Sequence, residues 1–368
     1  MNQENDLATE TAIIKKRKTY FKNVLFIGPH YNQLGGIASV LEVYSKSIPE
    51  FNFISSYDKK NGIYNIFYFA NSLLKFVYKL ISDRNIKIVH IHSAVRGSFL
   101  RKSIFLIIAK IFRKKTILHI HSGWFKQFYN NNPKLQFVIK YILNKPDELV
   151  CLSEEWKLYF DSITKSKKSI VVNNPVILPG HIKRIPCSNP IKVLFLNRIV
   201  AEKGIIDLAE FFNKNKAWLK GSFKLIVAGA GGAEKEFHEI IKENNLADII
   251  EYKGWVVGKE KEEIIKNCDL FILTSYYEGL PMSILEAMSF GKPIIASKVG
   301  GIPQIVKQDE NGWLLEAGDI KTLAEIFQQI KFNPGILELY GDKSLEIVKN
   351  YSPEKVTEKL NEVYGNLL

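Results

Sequence analysis

The sequence predicts an α/β protein of two doubly wound domains facing a cleft, and three observations predict it. Short β-branched runs alternate with longer helical patterns along most of the chain, which is the pattern of parallel sheets covered by helices. The alternation falls into two blocks, separated between residues 174 and 190 by Pro175, Pro179, Gly180, Pro186 and Pro190. At 368 residues the chain is also longer than one ordinary core organises. The expected division is therefore residues 1–180 and 181–351, followed by a helix over 352–368.

In the first block, strands fit residues 23–28, 86–91, 115–119, 148–152 and a short 170–172, each a compact apolar or β-branched run. Helices fit 37–47, 66–83, 97–112, 134–143 and 154–160. In the second block, strands fit 192–197, 223–229, 249–253, 270–274 and 293–297, each followed by a helix or a glycine-bearing turn. A helix should open at Pro281, since proline suits the first helical position, run to Phe290 and stop at Gly291-Lys292-Pro293. Ser352-Pro353-Glu354 caps the final helix, whose Val356, Leu360, Val363 and Leu367 share one face and need a surface to cover.

Composition excludes several classes. A hydrophobic fraction of 46% with 24% charged residues belongs to a globular chain, not a disordered one. No apolar run approaches the ~20 residues of a bilayer span, and residues 1–10 are too polar and acidic for a secretory signal. Cys151, Cys187 and Cys268 are an odd, scattered set without metal-ligand spacing, which suits a reducing cytoplasm.

The charge is lopsided. Residues 1–180 carry 27 Lys and Arg against 12 Asp and Glu, whereas residues 181–368 carry 24 against 26. From Lys59 to Lys115 there are 13 basic residues and one acid, Asp83, interleaved with aromatics such as Phe67, Phe76, Tyr78 and Phe105. That segment suits an anionic membrane face, peripherally held, or else two amphipathic helices with aromatic cores and solvated charges. Nucleic acid is excluded as a partner, because no motif that reads it accompanies the charge.

The most informative stretch is Glu278-Gly279-Leu280-Pro281-Met282-Ser283-Ile284-Leu285-Glu286, two carboxylates bracketing a strand-to-helix turn. Amides from Gly279 to Ser283 at a positive helix end suit a phosphate oxygen, and Glu286, two turns on, suits sugar hydroxyls. Arg198 and Lys203 follow the strand at 192–197, where cations at a carboxyl end point into the crevice of a parallel sheet. A surface ion pair with Glu202 is the competing reading. Gly35-Gly36 precedes a helix and allows close approach of a ligand to backbone. Trp255 and Val256 could flank a nucleobase, and Gly229-Ala230-Gly231-Gly232 could pass a phosphate.

The runs His90-Ile91-His92 and His119-Ile120-His121 each put two rings on one strand face, yet no acidic or cysteine ligand partners them, so no metal site is expected. His121, at a strand end before Ser122-Gly123, suits a polar position at the interdomain cleft, whereas His90 and His119 suit the core. The absence of any Asp-x-Asp pair removes the usual carboxylate clamp for a nucleotide-bound cation.

Taken in order, Gly35-Gly36, His121-Ser122, Asn197 to Gly204, Gly254 to Val256, Glu278 to Glu286 and Gly300-Gly301-Ile302-Pro303 resemble the retaining glycosyltransferases of family 4. The resemblance spans nearly the whole chain and is strongest over 191–315. It implies the GT-B architecture of two Rossmann-like domains, with a nucleoside-diphosphate sugar such as a UDP- or GDP-sugar held by the second and the acceptor by the first. It also implies that the final helix crosses back onto the first domain, and that no cofactor or metal is used.

By the same resemblance Arg198 and Lys203 neutralise the leaving diphosphate, Glu286 binds the ribose, and Glu278 and His121 lie near the transferred sugar. Retention would follow front-face attack, not a two-carboxylate hydrolase scheme. The expected setting is bacterial cell-surface polysaccharide or lipopolysaccharide synthesis on a glycan or lipid-linked glycan acceptor. Three residues depart from the family pattern: Asn197 and Asn174 stand where glycine is usual, and Gln304 where an acid is frequent. Two rivals remain, a nucleotide-sugar epimerase of the same architecture and a non-catalytic sugar-nucleotide or phospholipid-binding protein. The presence of both Glu278 and Glu286 argues against the second rival.

Overall fold

The computed structural model describes residues 19–33, 35–58, 62–165, 169–180, 182 and 186–368. Lys59 and Lys60 of the basic segment, and the acidic stretch 1–10, lie outside the described residues. Two six-stranded parallel sheets organise the chain. The first holds β1 (Val24–Gly28), β2 (Phe53–Ser55), β3 (Ile88–Ser93), β4 (Lys115–Ile120), β5 (Glu148–Cys151) and β6 (Ile170–Val171), in the order β2-β1-β3-β4-β5-β6. The second holds β7 (Ile191–Leu196), β8 (Phe223–Ala228), β9 (Ile250–Gly254), β10 (Leu270–Leu273), β11 (Ile294–Ser297) and β12 (Gly312–Leu315), in the order β12-β11-β10-β7-β8-β9.

The central strands β1, β3 and β10 are buried on both faces, as parallel sheets require; β1 and β10 read as apolar runs, whereas β3 carries His90 and His92. The doubly wound fold class is therefore as the sequence predicts. In each sheet the order reverses beside the first strand of its block, β1 or β7, and ligand crevices of this fold open at the carboxyl ends of such strands.

The first sheet is covered on one side by the helices Gly62–Ser82, Gly97–Ile111, Gln136–Leu143 and Glu154–Ile163, around a core that includes Phe76, Phe99, Phe105 and Phe160. Gly36–Ser47 covers the other side, and the last helix, Pro353–Leu367, packs beside it. Ser352 caps that last helix through Lys355 N–H. Its Tyr364 is fully buried against Phe21 and Phe26, with the hydroxyl 2.7 Å from His90 Nδ1, and Asn361 Oδ1 accepts from Tyr20 N–H at 2.8 Å.

Three local expectations are corrected. The edge strands β2 and β12 were not foreseen. Gly62–Ser82 starts four residues before the expected helix; Asn61, a residue type favoured as a helix cap, precedes it in the sequence and was not used as a start signal. Pro281 is the cap and not the first helical residue: its φ of −70° suits a helix but its ψ of 123° is extended, so the helix runs Met282–Ser289. Gly291, at φ +68°, follows its end in the left-handed conformation glycine favours.

Candidate functional site

The turn from Glu278 to Pro281 is fixed from several directions. Trp156 Nε1 donates to Glu278 O at 3.2 Å, and Asn174 Nδ2 donates to Leu280 O at 2.8 Å, both from the first block. Gly301 N–H donates to Gly279 O at 2.7 Å. Glycines make this approach possible: a Cβ on Gly300 would lie 1.9 Å from Glu278 O, and one on Gly279 would lie 2.7 Å from His121 O. The strand end His121-Ser122-Gly123 thus abuts the turn backbone to backbone.

Within that frame, Lys203 and Glu278 form a buried ion pair, Nζ to Oε1 at 2.5 Å, each residue only 8% exposed. Ser275 Oγ donates to the same carboxylate oxygen at 2.9 Å. Lys203 closes a short 3-10 turn, Ala201–Lys203, ended by Gly204 at φ +73°, where a Cβ would strike Thr274 O. The competing reading of a surface pair with Glu202 does not hold for Lys203, whose ammonium meets the carboxylate opening the turn.

Arg198 sits at the carboxyl end of β7, exposed, with its own N–H bonded to Asn197 Oδ1 at 2.8 Å. Among the described residues no ion pair engages its guanidinium. With Glu202 it lines one wall of a cavity of ≈ 430 Å³ between the domains; Arg96, Ser122, Trp124 and Gln127 line the other. Arg96 has φ +54°, a costly conformation for a side chain, and Gln127 Oε1 is buried without a partner. Sequence reading missed Arg96, Trp124 and Gln127; the one available signal was Trp124 directly after His121-Ser122-Gly123.

At the head of Met282–Ser289, the amides of Met282 and Ser283 have no acceptor within the helix, and Ser283 Oγ is buried without a partner. Glu286 lies about one turn into the helix, not two as expected, because Glu278 to Pro281 are not helical; it pairs with Lys261 Nζ at 2.7 Å, a partner the sequence did not reveal. Gly35 has φ +137°, and a Cβ on Gly35 or Gly36 would meet nothing within 4 Å, so no protein contact demands either glycine's bareness. The helix they open packs on Met282–Ser289.

Other predicted residues fall differently. Trp255 is 37% exposed just beyond β9, whereas Val256 is buried in the core. The Gly229–Gly232 loop is bare for packing: a Cβ on Gly229 would strike Asn197 O and one on Gly231 would strike Ile199 O. Glu234 ties that loop down, accepting from Gly231 N–H and Tyr252 Oη.

His121 turns its ring away from the turn into a column of four histidines. β3 and β4 pair with His92 opposite His119, and the rings of His90 and His92 stack at 4.4 Å, those of His119 and His121 at 4.1 Å. His92 Nδ1 is 2.8 Å from His121 Nε2. Burial pushes His90 and His121 down to about 3 and holds His92 and His119 well below the usual range, so the column is neutral at pH 7. Nitrogens of His90, His92 and His119 lie within 4.8 Å of one another. A dication there would have stacked rings in place of converging ones and the Lys102 ammonium as a neighbouring charge, with no carboxylate in the group.

Residues 182–355 match the family model described as Glycosyl transferases group 1. Over the longer span the chain is 26% identical to an uncharacterized glycosyltransferase of Methanocaldococcus jannaschii, covering 94% of this chain and 98% of that protein. It is 28% identical to a putative colanic acid biosynthesis glycosyltransferase of Escherichia coli, but over only 38% of this chain and 35% of that protein. Among solved structures it is similar to Anabaena HepE in complex with UDP, at TM-score 0.76 and 17% identity, covering 94% of this chain and all of that one. It is also similar to sucrose-phosphate synthase of Thermosynechococcus elongatus, at TM-score 0.74 and 17% identity over 94% and 98% of the two chains. The shared fold is GT-B.

Proposed function

We propose, from the match of residues 182–355 to the model described as Glycosyl transferases group 1, that this enzyme moves a sugar from a nucleoside-diphosphate sugar to a glycan or lipid-linked glycan, with retention and without a metal. Residues 181–351 hold the donor and residues 1–180 the acceptor. The observation that carries the reading is the Lys203–Glu278 pair at the turn that opens Met282–Ser289, a helix whose first amides have no acceptor within it; with Arg198 at the carboxyl end of β7 these groups would make a seat for a diphosphate. A UDP- or GDP-sugar fits it; HepE was solved with UDP.

In the reaction, the bond from the anomeric carbon to the phosphate oxygen breaks and an acceptor oxygen bonds to that carbon. The acceptor proton passes to the leaving phosphate oxygen. Arg198 and Lys203 stabilise the charge that develops there, supplying the role a divalent cation has in other transferases. Glu278 is committed to Lys203 and Ser275, which supports its orienting the lysine and the sugar, not attacking the sugar as a nucleophile. Glu286 takes the ribose hydroxyls, with Trp255 beside the base and Gly35-Gly36 over the phosphates. His121 is a neutral hydrogen-bonding group behind the sugar. Trp124 and the amide of Gln127 suit an acceptor ring, apolar on its face and hydroxylated at its edge.

The setting we read is cell-surface polysaccharide assembly, supported by the colanic acid relative, with the basic first half held peripherally on the inner membrane face. A panel of UDP- and GDP-sugars tests the activity. Donor consumption that needs an acceptor supports transfer, conversion of donor alone means an epimerase, and binding without turnover on any acceptor means a non-catalytic protein.

A further inference from the structure

The outer surface of the first domain departs from that of an ordinary soluble helix layer. On Gly62–Ser82, the residues Ile63, Ile66, Phe67, Leu74, Tyr78 and Ile81 are 63–73% exposed and recur at helical spacing along one stripe. The buried residues of that helix, Ser72, Phe76 and Leu80, lie on its opposite side. The neighbouring helix Gly97–Ile111 repeats the arrangement, with Leu100, Ile104, Ile107 and Ile111 exposed while Phe99, Phe105 and Leu106 face the core. Phe105 locks the two helices together, its ring 5.8 Å from Phe69 and 5.1 Å from Phe76. Both stripes therefore look outward from the same face of the sheet, and together they form one apolar platform larger than single scattered residues account for.

We propose that this platform lies in the interfacial layer of an anionic lipid leaflet, so that the enzyme is monotopic: its two helices rest in the headgroup boundary without crossing it. This deepens the peripheral association read above by assigning the surface and its mode of attachment. No helix among the described residues is long and apolar enough to cross a membrane, and a stripe of this width on a helix lying flat is the alternative the bilayer accepts. Lys75, Arg113 and Lys115 stand exposed beside the stripes, placed to meet anionic headgroups while the apolar side chains sit below them. The same charge disfavours a second copy of the chain as the occupant. A two-fold contact would bring this basic patch against itself, where like charges repel.

The test is sedimentation with vesicles of phosphatidylcholine, with and without about one-third phosphatidylglycerol, at low and at about 0.5 M salt. The native chain should bind the anionic vesicles, and part of the binding should survive high salt, because inserted apolar groups are not screened. A Phe67→Ser, Leu74→Ser, Ile107→Ser variant should lose at least tenfold in vesicle affinity at both salt levels while its UDP-induced rise in melting temperature is unchanged. These side chains are exposed, so the variant keeps the core. Binding that vanishes entirely at high salt, or that the triple variant retains, overturns the proposal. So does a concentration-dependent dimer that the same substitutions abolish while the native chain ignores vesicles. Absence of a melting response to UDP and to GDP alike in the native chain would instead sink the nucleotide-sugar reading and leave the vesicle result standing on its own.

Discussion

Lys203 and Glu278 are 75 positions apart in sequence and meet at 2.5 Å in a pocket that excludes most water. The pair fixes the one cation that cannot swing away, at the mouth of the turn where the diphosphate is proposed to sit. Breaking a buried pair from one side leaves a charge uncompensated, at a cost of about 3–5 kcal/mol. Lys203→Met should therefore lower the melting temperature clearly and reduce kcat/KM at least tenfold. Adding Glu278→Gln should restore much of the melting temperature and none of the activity. Thermal melts beside donor turnover separate the two effects, and recovery of both together would make the pair merely structural.

Arg198 gives the opposite pattern. It is exposed and carries no ion pair among the described residues, so Arg198→Ala should leave the melting temperature within about 1 °C, as surface substitutions do. It should weaken UDP binding by at least tenfold if Arg198 holds the phosphates as proposed. Calorimetric titration with UDP checks it.

Two glycines should respond in contrasting ways. Gly301→Ala sets a Cβ 2.6 Å from Gly279 O, so the turn must shift, and both stability and turnover should fall. Gly36→Ala meets nothing and trades a poor helix former for the best one. Its melting temperature should hold or rise slightly while donor affinity falls, because the new methyl occupies ligand space. Unchanged donor affinity would remove Gly36 from the site.

The histidine column should make the protein acid-labile above the range where carboxylates titrate. His90 and His121 have folded values near 3, below the ~6.5 of an unfolded histidine. The stabilising neutral form is fully favoured above ~6.5. As pH falls below that, the unfolded chain gains protons that the folded chain refuses, at about 1.4 kcal/mol per pH unit for each such ring. Urea midpoints measured from pH 7 down to pH 5 should drop steadily. A flat profile would mean that the column admits protons without opening.

Much of this was legible in the sequence because it depends on local pattern. The alternation of β-branched runs with helical spacing located the inner strands, and the carboxyl-end rule pointed to Arg198, which lines the cavity wall, whereas Lys203 lies buried against Glu278. Two of the four edge strands escaped notice: Phe53–Ser55 is three half-buried residues with no clear period, and Gly312–Leu315 opens on a glycine. The partners of the site were also hidden, since Lys261, Trp156 and Asn174 reach it only through tertiary contacts. His-x-His on a strand announces that two rings share a face. It does not announce that the register of β3 and β4 will set His92 opposite His119 and build a column.

Trp156 and Asn174, both from the first block, each donate a hydrogen bond to a main-chain oxygen of the Glu278–Pro281 turn, the proposed donor seat. Separation of the lobes would strip two of the supports from that loop, so gape and misshapen seat are a single event. Reciprocity then requires that a bound nucleotide draw the lobes together by the same free energy with which their closure tightens its hold. Weakening Trp156, remote from any phosphate, should loosen nucleotide and lobes alike.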